Sequence, residues 1–432
     1  MMARLETSGL FLVMAFDLLL GQGLRGGGQL RRRFDAAALR LRRAWASRDP
    51  PSAGAGGASE VGWAALPRYV RVNGVKMGKT GKKAVLKQLR KALKEKRAQE
   101  LQEGKEVEPE VAEVKEDEVV PNVLVLHPSS RAWLQNLPEV LSGQLVLQDR
   151  SSCLSALAAG LTPGTTVVDS CAAPGSKTSH AIDLLEGSGR MFAFEKDPKR
   201  ASSLLERLRL LTGFQEVALH TRTKKSKANR ASRASAALAR GRCLPVGSKP
   251  GVEVELRTMD FLKVDPRAAP WNEVEVLLID PSCSGSGLPE HHLTAAATGA
   301  DTENDGRLRR LAAFQKRILS HALQFPKART VVYSTCSLHR VENEDVVEAA
   351  LPSSRFQVVQ ALPWWHNAPK EEHGHGSTLP SWASHCLRSQ PDVHRCRGFF
   401  LCRLDRTAPE PEEPEEPAQN AAPRKRRVGT WN

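Results

Sequence analysis

The sequence predicts an α/β fold: a mostly parallel sheet with helices on both faces, joined to a smaller basic N-terminal module. Three observations predict it. From Val119 onward, short apolar strands alternate with helical stretches. Three of those strands end in an acid, at Asp169, Glu195 and Asp280. Ahead of them, residues 68–105 hold 13 basic and three acidic side chains.

The elements follow in chain order. Residues 1–50 read as a helical, Arg-rich remnant, with eight Arg from Arg25 to Arg48 against one acid, Asp35. Residues 51–65, rich in Pro, Ala, Gly and Ser, read as a flexible linker. Residues 66–139 form the basic module. Within it, Leu66 to Asn73 reads as a strand, and Lys79 to Arg97 as a helix with Leu86, Leu89 and Leu93 on one face. An acidic run, Glu106 to Glu118, follows. Opposite charge blocks of this kind either bind a polyanion or form a solvated arm. Residues 140–405 carry the alternating pattern. Strands are expected at 165–169, 190–195, 274–280 and 330–333, and helices at 179–185, 201–211 and 308–323. Residues 220–249 interrupt it with nine Lys or Arg and no acid, and find no place in a sheet core. Residues 406–432, with a Pro/Glu run and then Arg424 to Arg427, read as a disordered tail.

Composition narrows the function. At about 100–200 residues per domain, 432 residues fit one large and one smaller domain. A net charge of +15 points to a polyanionic partner, nucleic acid before membrane. No apolar run is long enough for a transmembrane helix, and Leu10 to Phe16 is too short and poorly flanked for a signal peptide. Eight cysteines without a Cys-x-x-Cys spacing exclude a disulfide scaffold and fit a reducing compartment. His291, His292, His373 and His375 lack partners at ligand spacing, so no metal is expected.

Three loops at strand ends carry the chemistry. Asp169-Ser-Cys-Ala-Ala-Pro-Gly175-Ser-Lys177-Thr lies between a strand and a helix. It has neither the glycines of a dinucleotide fingerprint nor those of a P-loop. It either admits a small nucleoside-like ligand against the helix N-terminus or is a plain tight turn. Glu195 ends the next strand, as a ribose acceptor or a solvated cap. Asp280-Pro-Ser-Cys283-Ser-Gly-Ser-Gly287 and Tyr333-Ser-Thr-Cys336-Ser-Leu end two further strands. A lone buried cysteine is usually inert, but two at strand ends of one parallel sheet can face one crevice.

Together, in this order, the three loops resemble the Nop/Sun family of RNA cytosine carbon-5 methyltransferases. Phe194 to Arg200 is similar to the family's ribose-binding motif, and Glu342 to Val347 to the helix after its nucleophile loop. Leu18 to Gly28, Leu145 to Arg150 and Gly398-Phe-Phe resemble the branch that modifies large-subunit ribosomal RNA. The resemblance covers residues 140–403, with a family-like segment at Leu66–Asn73.

It implies a Rossmann-like methyltransferase fold with S-adenosylmethionine as cofactor and no metal. Cys171, Ala172, Ala173, Pro174, Gly175, Ser176 and Lys177 would cradle that cofactor. Glu195 would hold its ribose, where the branch usually has Asp, with Arg200 nearby and Asp260 at the adenine end. Asp280 would lie between cofactor and target cytosine. Cys336 would be the nucleophile, and Cys283 the residue that assists product release. A thiolate adding at carbon 6 makes carbon 5 nucleophilic enough to take the methyl. Arg68, Arg71 and Lys79 to Arg97 would contact phosphates of the RNA partner, and Trp364-Trp365 would pack a loop. The shortened N-terminal region and residues 220–249 depart from the family pattern.

Two other readings stay open. A non-catalytic RNA-binding assembly factor could keep the fold without turnover. A DNA cytosine methyltransferase usually places its nucleophile after Pro, whereas here Cys336 follows Thr335. The implied substrate places the chain in the nucleolus or nucleus, with Arg424–Arg427 as a nuclear signal; the Arg-rich start offers the mitochondrion as the alternative.

Overall fold

The computed structural model describes residues 66–78, 81–103, 113–216, 237–243, 251–288, 301–365 and 379–407. All lie in one unit, Gly62–Asn432. The expectations for residues 1–65, Lys79, 104–112, 217–236, 244–250, the four histidines at 291, 292, 373 and 375, and the tail from 408 fall outside the described residues.

The first element is a small antiparallel sheet of β1 (Arg68–Val72), β2 (Val114–Glu116), β3 (Val123–Leu126) and β4 (Leu145–Leu147), in the order β2-β3-β1-β4. Helix α1 (Gly81–Gln102) lies on it, counting helices of seven residues or more. Val85, Leu86, Leu89 and Leu93 recur at helical spacing and bury against Val70, Val72, Leu124 and Leu126. Burying each such side chain contributes about 1.5–3 kcal/mol. The expected boundary at residue 140 moves, because Leu145 to Leu147 pair with Val72 to Val70 of β1.

The large sheet carries β5 (Thr166–Asp169), β6 (Arg190–Glu195), β7 (Gln215–Glu216), β8 (Ala237–Cys243), β9 (Val252–Thr258), β10 (Val276–Ile279), β11 (Thr330–Thr335), β12 (Phe356–Val359), β13 (Leu387–Ser389) and β14 (Phe399–Arg406). Its path is β12-β14-β11-β10-β5-β6-β9-β8-β7, with β13 paired to β14. Strands β11, β10, β5, β6 and β9 are parallel, as the alternating pattern predicts. Their side chains alternate between two cores. Val167, Met191, Ala193, Val276 and Leu278 face one, and Val168, Phe192, Phe194, Leu277 and Ile279 the other. Helices α2 (Arg150–Ala158), α3 (Ser176–Leu184), α4 (Pro198–Thr212), α5 (Asp301–Ala322) and α6 (Glu344–Ala350) complete the layers. Taken in chain order, the five parallel strands stand as 3-2-1-4-5. The order reverses between β5 and β10, so the crevice for a ligand opens at their carboxyl ends.

Local sequence explains the helix nearest that crevice on the β6 side. Asp197 caps α4 by accepting from Arg200 N at 2.8 Å, Pro198 occupies its first turn, and Gly213 closes it at φ 61°.

Two expectations are corrected. The basic stretch 220–249 does contribute to the sheet, because residues 237–243 form β8, antiparallel to β9. There Arg240 and Arg242 are exposed while Ala239 and Cys243 are buried, so the strand is amphipathic despite its charge. Arg71 does not face a partner. It is 1% exposed and donates from Nε to Gln148 Oε1 (3.0 Å), from Nη2 to Ser179 Oγ (2.9 Å) and from Nη1 to Asp183 Oδ2 (3.3 Å). It therefore ties the small sheet to α3. Trp365 packs as expected, stacked on His394, while Trp364 is exposed.

Arg71→Ala is expected to cost about 3 kcal/mol of folding stability by leaving the part-buried Asp183 without its cation and Gln148 and Ser179 without their buried donor. Lys87→Ala, on the exposed face of α1, should cost less than about 1 kcal/mol. Urea denaturation of both variants checks this; equal small losses would contradict the internal role.

Candidate active site

The loop after β5 is shaped by its own residues. Ser170 N donates to Leu278 O at 3.0 Å and Ala172 N to Phe194 O at 2.8 Å, which stitches the loop to both neighbouring strands. Asp169 is buried and accepts from Thr178 Oγ1 at 2.7 Å, anchoring the start of α3; burial pushes its pKa up to about 6. Gly175 turns the chain at φ 102°, and a Cβ there would stand 2.8 Å from Leu204 Cδ1. Of the expected cradle, Cys171 to Lys177, the Cys171 thiol is pushed up to about 12 by burial and stays protonated.

The other expected residues converge on this loop. Arg200 donates from Nη2 to Ala173 O at 3.0 Å and pairs with Glu195 Oε2 at 3.4 Å. Glu195 is 5% exposed and accepts from Asp197 N at 2.9 Å through Oε1. Asp260 lies just beyond β9, and its neighbour in the loop is Lys196, 3.6 Å away. Lys177 reaches across the switch point, with Nζ 2.8 Å from Asp280 Oδ2 and over the Phe399 ring at 5.5 Å. Burial acts to lower the Lys177 pKa, but the Asp280 carboxylate outweighs it and holds the ammonium above its ordinary value. Asp280 also accepts from Ser334 Oγ at 2.8 Å.

Cys283 and Cys336 meet one strand further on. Their sulfurs are 2.9 Å apart, and both side chains are partly exposed. The loops are locked by a backbone crossing: Gly287 N donates to Cys336 O at 2.8 Å, and Gly398 N to Gly287 O at 3.0 Å. A Cβ on Gly287 would lie 2.3 Å from Gly398 O, so only glycine fits. The Cys336 pKa is lowered, first by the S–H of Cys283 and, against burial and Asp280, also by Lys177. The same bond pushes the Cys283 pKa well up. The S–H of Cys283 therefore favours the charged form of Cys336 over the neutral one.

The residues present fit S-adenosylmethionine. Two carboxylates, Glu195 and Asp260, offer acceptors to hydroxyl and amine donors of a nucleoside. Thr258, the register partner of Glu195, has a buried hydroxyl oxygen without a hydrogen-bond partner. Sequence reading placed Ser334 and Phe399 within motifs but gave them no role, and it did not foresee the Gly287–Gly398 crossing, whose sequence signal is a glycine closing one motif and a glycine opening another.

Alkylation of Cys336 should report its lowered pKa. Thiolate grows as pH rises, so the midpoint for iodoacetamide labelling is expected below the ordinary thiol value of 9.0. Cys283→Ala should move it up by about one unit, the size of one lost charge-assisted hydrogen bond. Peptide mass spectrometry across pH checks this; an unchanged midpoint would contradict the thiol coupling.

Comparison with known proteins places the chain in a family. The family model described as 16S rRNA methyltransferase RsmB/F matches residues 156–233 and 229–405, which include all three loops. A mouse (Mus musculus) protein named 28S rRNA (cytosine-C(5))-methyltransferase is 33% identical over 96% of this chain and 82% of its own length. The Arabidopsis thaliana 25S rRNA (cytosine-C(5))-methyltransferase NSUN5 is 32% identical over 78% of this chain and 48% of its own. Two solved structures share the fold. A methyltransferase homologue from Pyrococcus horikoshii has a TM-score of 0.54 at 24% identity, covering 94% of this chain and 97% of that one. NSun6 from the same organism, solved with SFG, has a TM-score of 0.52 at 16% identity, covering 79% and 91%. A parallel sheet with its switch point at the nucleoside loop, two thiols 2.9 Å apart beyond it, and a match across all of these elements lead to one assignment: the chain belongs to the RsmB/F family of S-adenosylmethionine-dependent rRNA methyltransferases.

Proposed function

We propose that the chain methylates cytosine at carbon 5 in ribosomal RNA of the large subunit, through a covalent bond between Cys336 and carbon 6 of the base. The observation that carries this reading is the Cys283–Cys336 pair, 2.9 Å apart, beside Asp280 and Lys177. The large-subunit assignment rests on relatives named for 28S and 25S rRNA. When bound, S-adenosylmethionine supplies an electrophilic methyl group.

Each residue has a role that follows from its place. Cys171 to Lys177, Glu195, Arg200 and Asp260 hold the cofactor. The Cys336 thiolate adds to carbon 6, and Asp280 accepts a hydrogen bond from the cytosine edge, favouring a proton on ring nitrogen 3. The electron pair gathered at carbon 5 takes the methyl. Carbon 5 then loses its proton to a general base, the carbon 5–carbon 6 double bond re-forms, and Cys336 leaves with the carbon–sulfur pair. The Cys283 S–H stabilises Cys336 as nucleophile and again as leaving group. Lys177 keeps Asp280 in place. The base must leave its stack to reach this crevice.

Helix α1 supports RNA binding. Lys83, Lys87, Arg90, Lys91 and Lys94 line one groove on its outer side with Leu86 beneath. Such a row contacts phosphates and not base edges. Nucleolar or nuclear residence goes with the proposed substrate.

The test is methyl transfer from labelled S-adenosylmethionine to large-subunit ribosomal RNA and to duplex DNA. Nucleoside analysis should find 5-methylcytidine from the RNA and no transfer to the DNA. Cys336→Ala should lower the rate by at least about a thousandfold. RNA and cofactor binding without transfer would favour the non-catalytic assembly factor.

A further inference from the structure

Two consecutive buried residues hold the two cysteine loops. Glu342 ends the short turn Arg340–Glu342, and Asn343 follows it; both are 0% exposed. Glu342 Oε1 accepts from Ser284 N at 2.9 Å and from Gln315 Nε2 at 2.9 Å, and its Oε2 accepts from Ser284 Oγ at 2.5 Å. Gln315 Nε2 also donates to Ser282 O at 3.0 Å. The residues on both sides of Cys283 are thereby tied to one carboxylate, Ser284 directly and Ser282 through Gln315. Asn343 does the same for Cys336. Its Nδ2 donates to Ser337 O at 2.9 Å, and its Oδ1 accepts from Thr335 Oγ1 at 2.6 Å. Ser284 Oγ and Ser337 Oγ lie 3.1 Å apart and close the circuit. Tyr333 OH donates to Glu342 O at 2.5 Å, which fixes the turn itself on β11.

A buried carboxylate is costly unless its acceptors are filled, and an apolar side chain would fill the same space without that cost. The three donors to Glu342 explain why it is tolerated. Two of them come from the residue after Cys283, which explains where it acts. Its side-chain hydrogen bonds go to Ser284, beside Cys283, and to Gln315, and not to either sulfur.

We propose that Glu342 and Asn343 are positioning residues for methyl transfer, a two-residue clamp that sets the separation of Cys283 from Cys336. Adjacent positions on one backbone keep the two loops from drifting apart independently. The effect on turnover rests on the roles proposed for the two thiols; the effect on the resting pair does not. The charged and titratable groups that act on Cys336 are Cys283, Asp280 and Lys177, and Glu342 is not among them, so a change at Glu342 reaches the sulfur through the placement of Cys283.

The test uses the full chain with Glu342→Gln, which keeps the side-chain volume but loses an acceptor for Ser284 Oγ. Ser284→Ala is the milder second variant. Iodoacetamide labelling of Cys336 across pH should show the midpoint raised by about one unit in Glu342→Gln. Cys283→Ala/Glu342→Gln should sit no higher than Cys283→Ala alone, because both changes remove one interaction. Ser284→Ala should move in the same direction by less. With cofactor and RNA, Glu342→Gln should lose at least about tenfold in turnover while RNA-linked protein accumulates on a denaturing gel. An unshifted midpoint in folded Glu342→Gln overturns the clamp, as does a shift that adds in full to that of Cys283→Ala. Should Glu342→Gln fail to fold, an unshifted Ser284→Ala overturns it alone. A shifted midpoint without adduct accumulation keeps the clamp and overturns the release role of Cys283.

Discussion

The register of two parallel strands is the constraint on which the rest depends. Ile279 of β10 pairs with Tyr333 of β11, so both strands end at one level. The next residues, Asp280 and Ser334, then meet at 2.8 Å, and the loops beyond bring Cys283 and Cys336 together. A slip of one residue would turn every side chain of one strand to the other face and part the thiols. Val276, Leu278 and Val332 pack in one core and Leu277, Ile279, Val331 and Tyr333 in the other, so a slip would force two close-packed cores to repack. Packing of the sheet and chemistry of the site are therefore one requirement.

Charge within the crevice is arranged in a chain. Lys177 comes from the nucleoside loop, Asp280 and Cys283 from the loop after β10, and Cys336 from the end of β11. Lys177 favours the Cys336 thiolate while burial and Asp280 oppose it, and the S–H of Cys283 is the largest influence in its favour. In the proposed reaction the carboxylate serves the base, yet it is unfavourable for the thiolate. The adjacent lysine offsets that conflict at 2.8 Å.

Much of this was legible in the sequence, for physical reasons. Strands buried on both faces read as apolar runs, and Arg190–Glu195 has the bounds that the pattern gives. The acids and cysteines stand where such runs stop. What was not legible depends on pairing across long separations. Leu145 to Leu147 carries no mark of its partner β1, and the charge of residues 237–243 hides a strand. Arg71 could have been read better. It is three residues from Arg68, an odd spacing, so the two point to opposite faces of one strand and cannot serve one surface. Glu342 gave no signal beyond its place after the nucleophile loop, because its partners, Ser284 and Gln315, lie far along the chain.

The proposed reaction turns on a covalent Cys336–cytosine bond that Cys283 helps to break. The most direct measurement is mass spectrometry of the nuclease- and protease-digested complex formed by Cys283→Ala protein with S-adenosylmethionine and large-subunit ribosomal RNA. The account predicts a peptide carrying a methylated cytidine nucleotide on Cys336, absent when Cys336 is also replaced by Ala. A cross-link at another residue, or methylated RNA released with no cross-link, would contradict it.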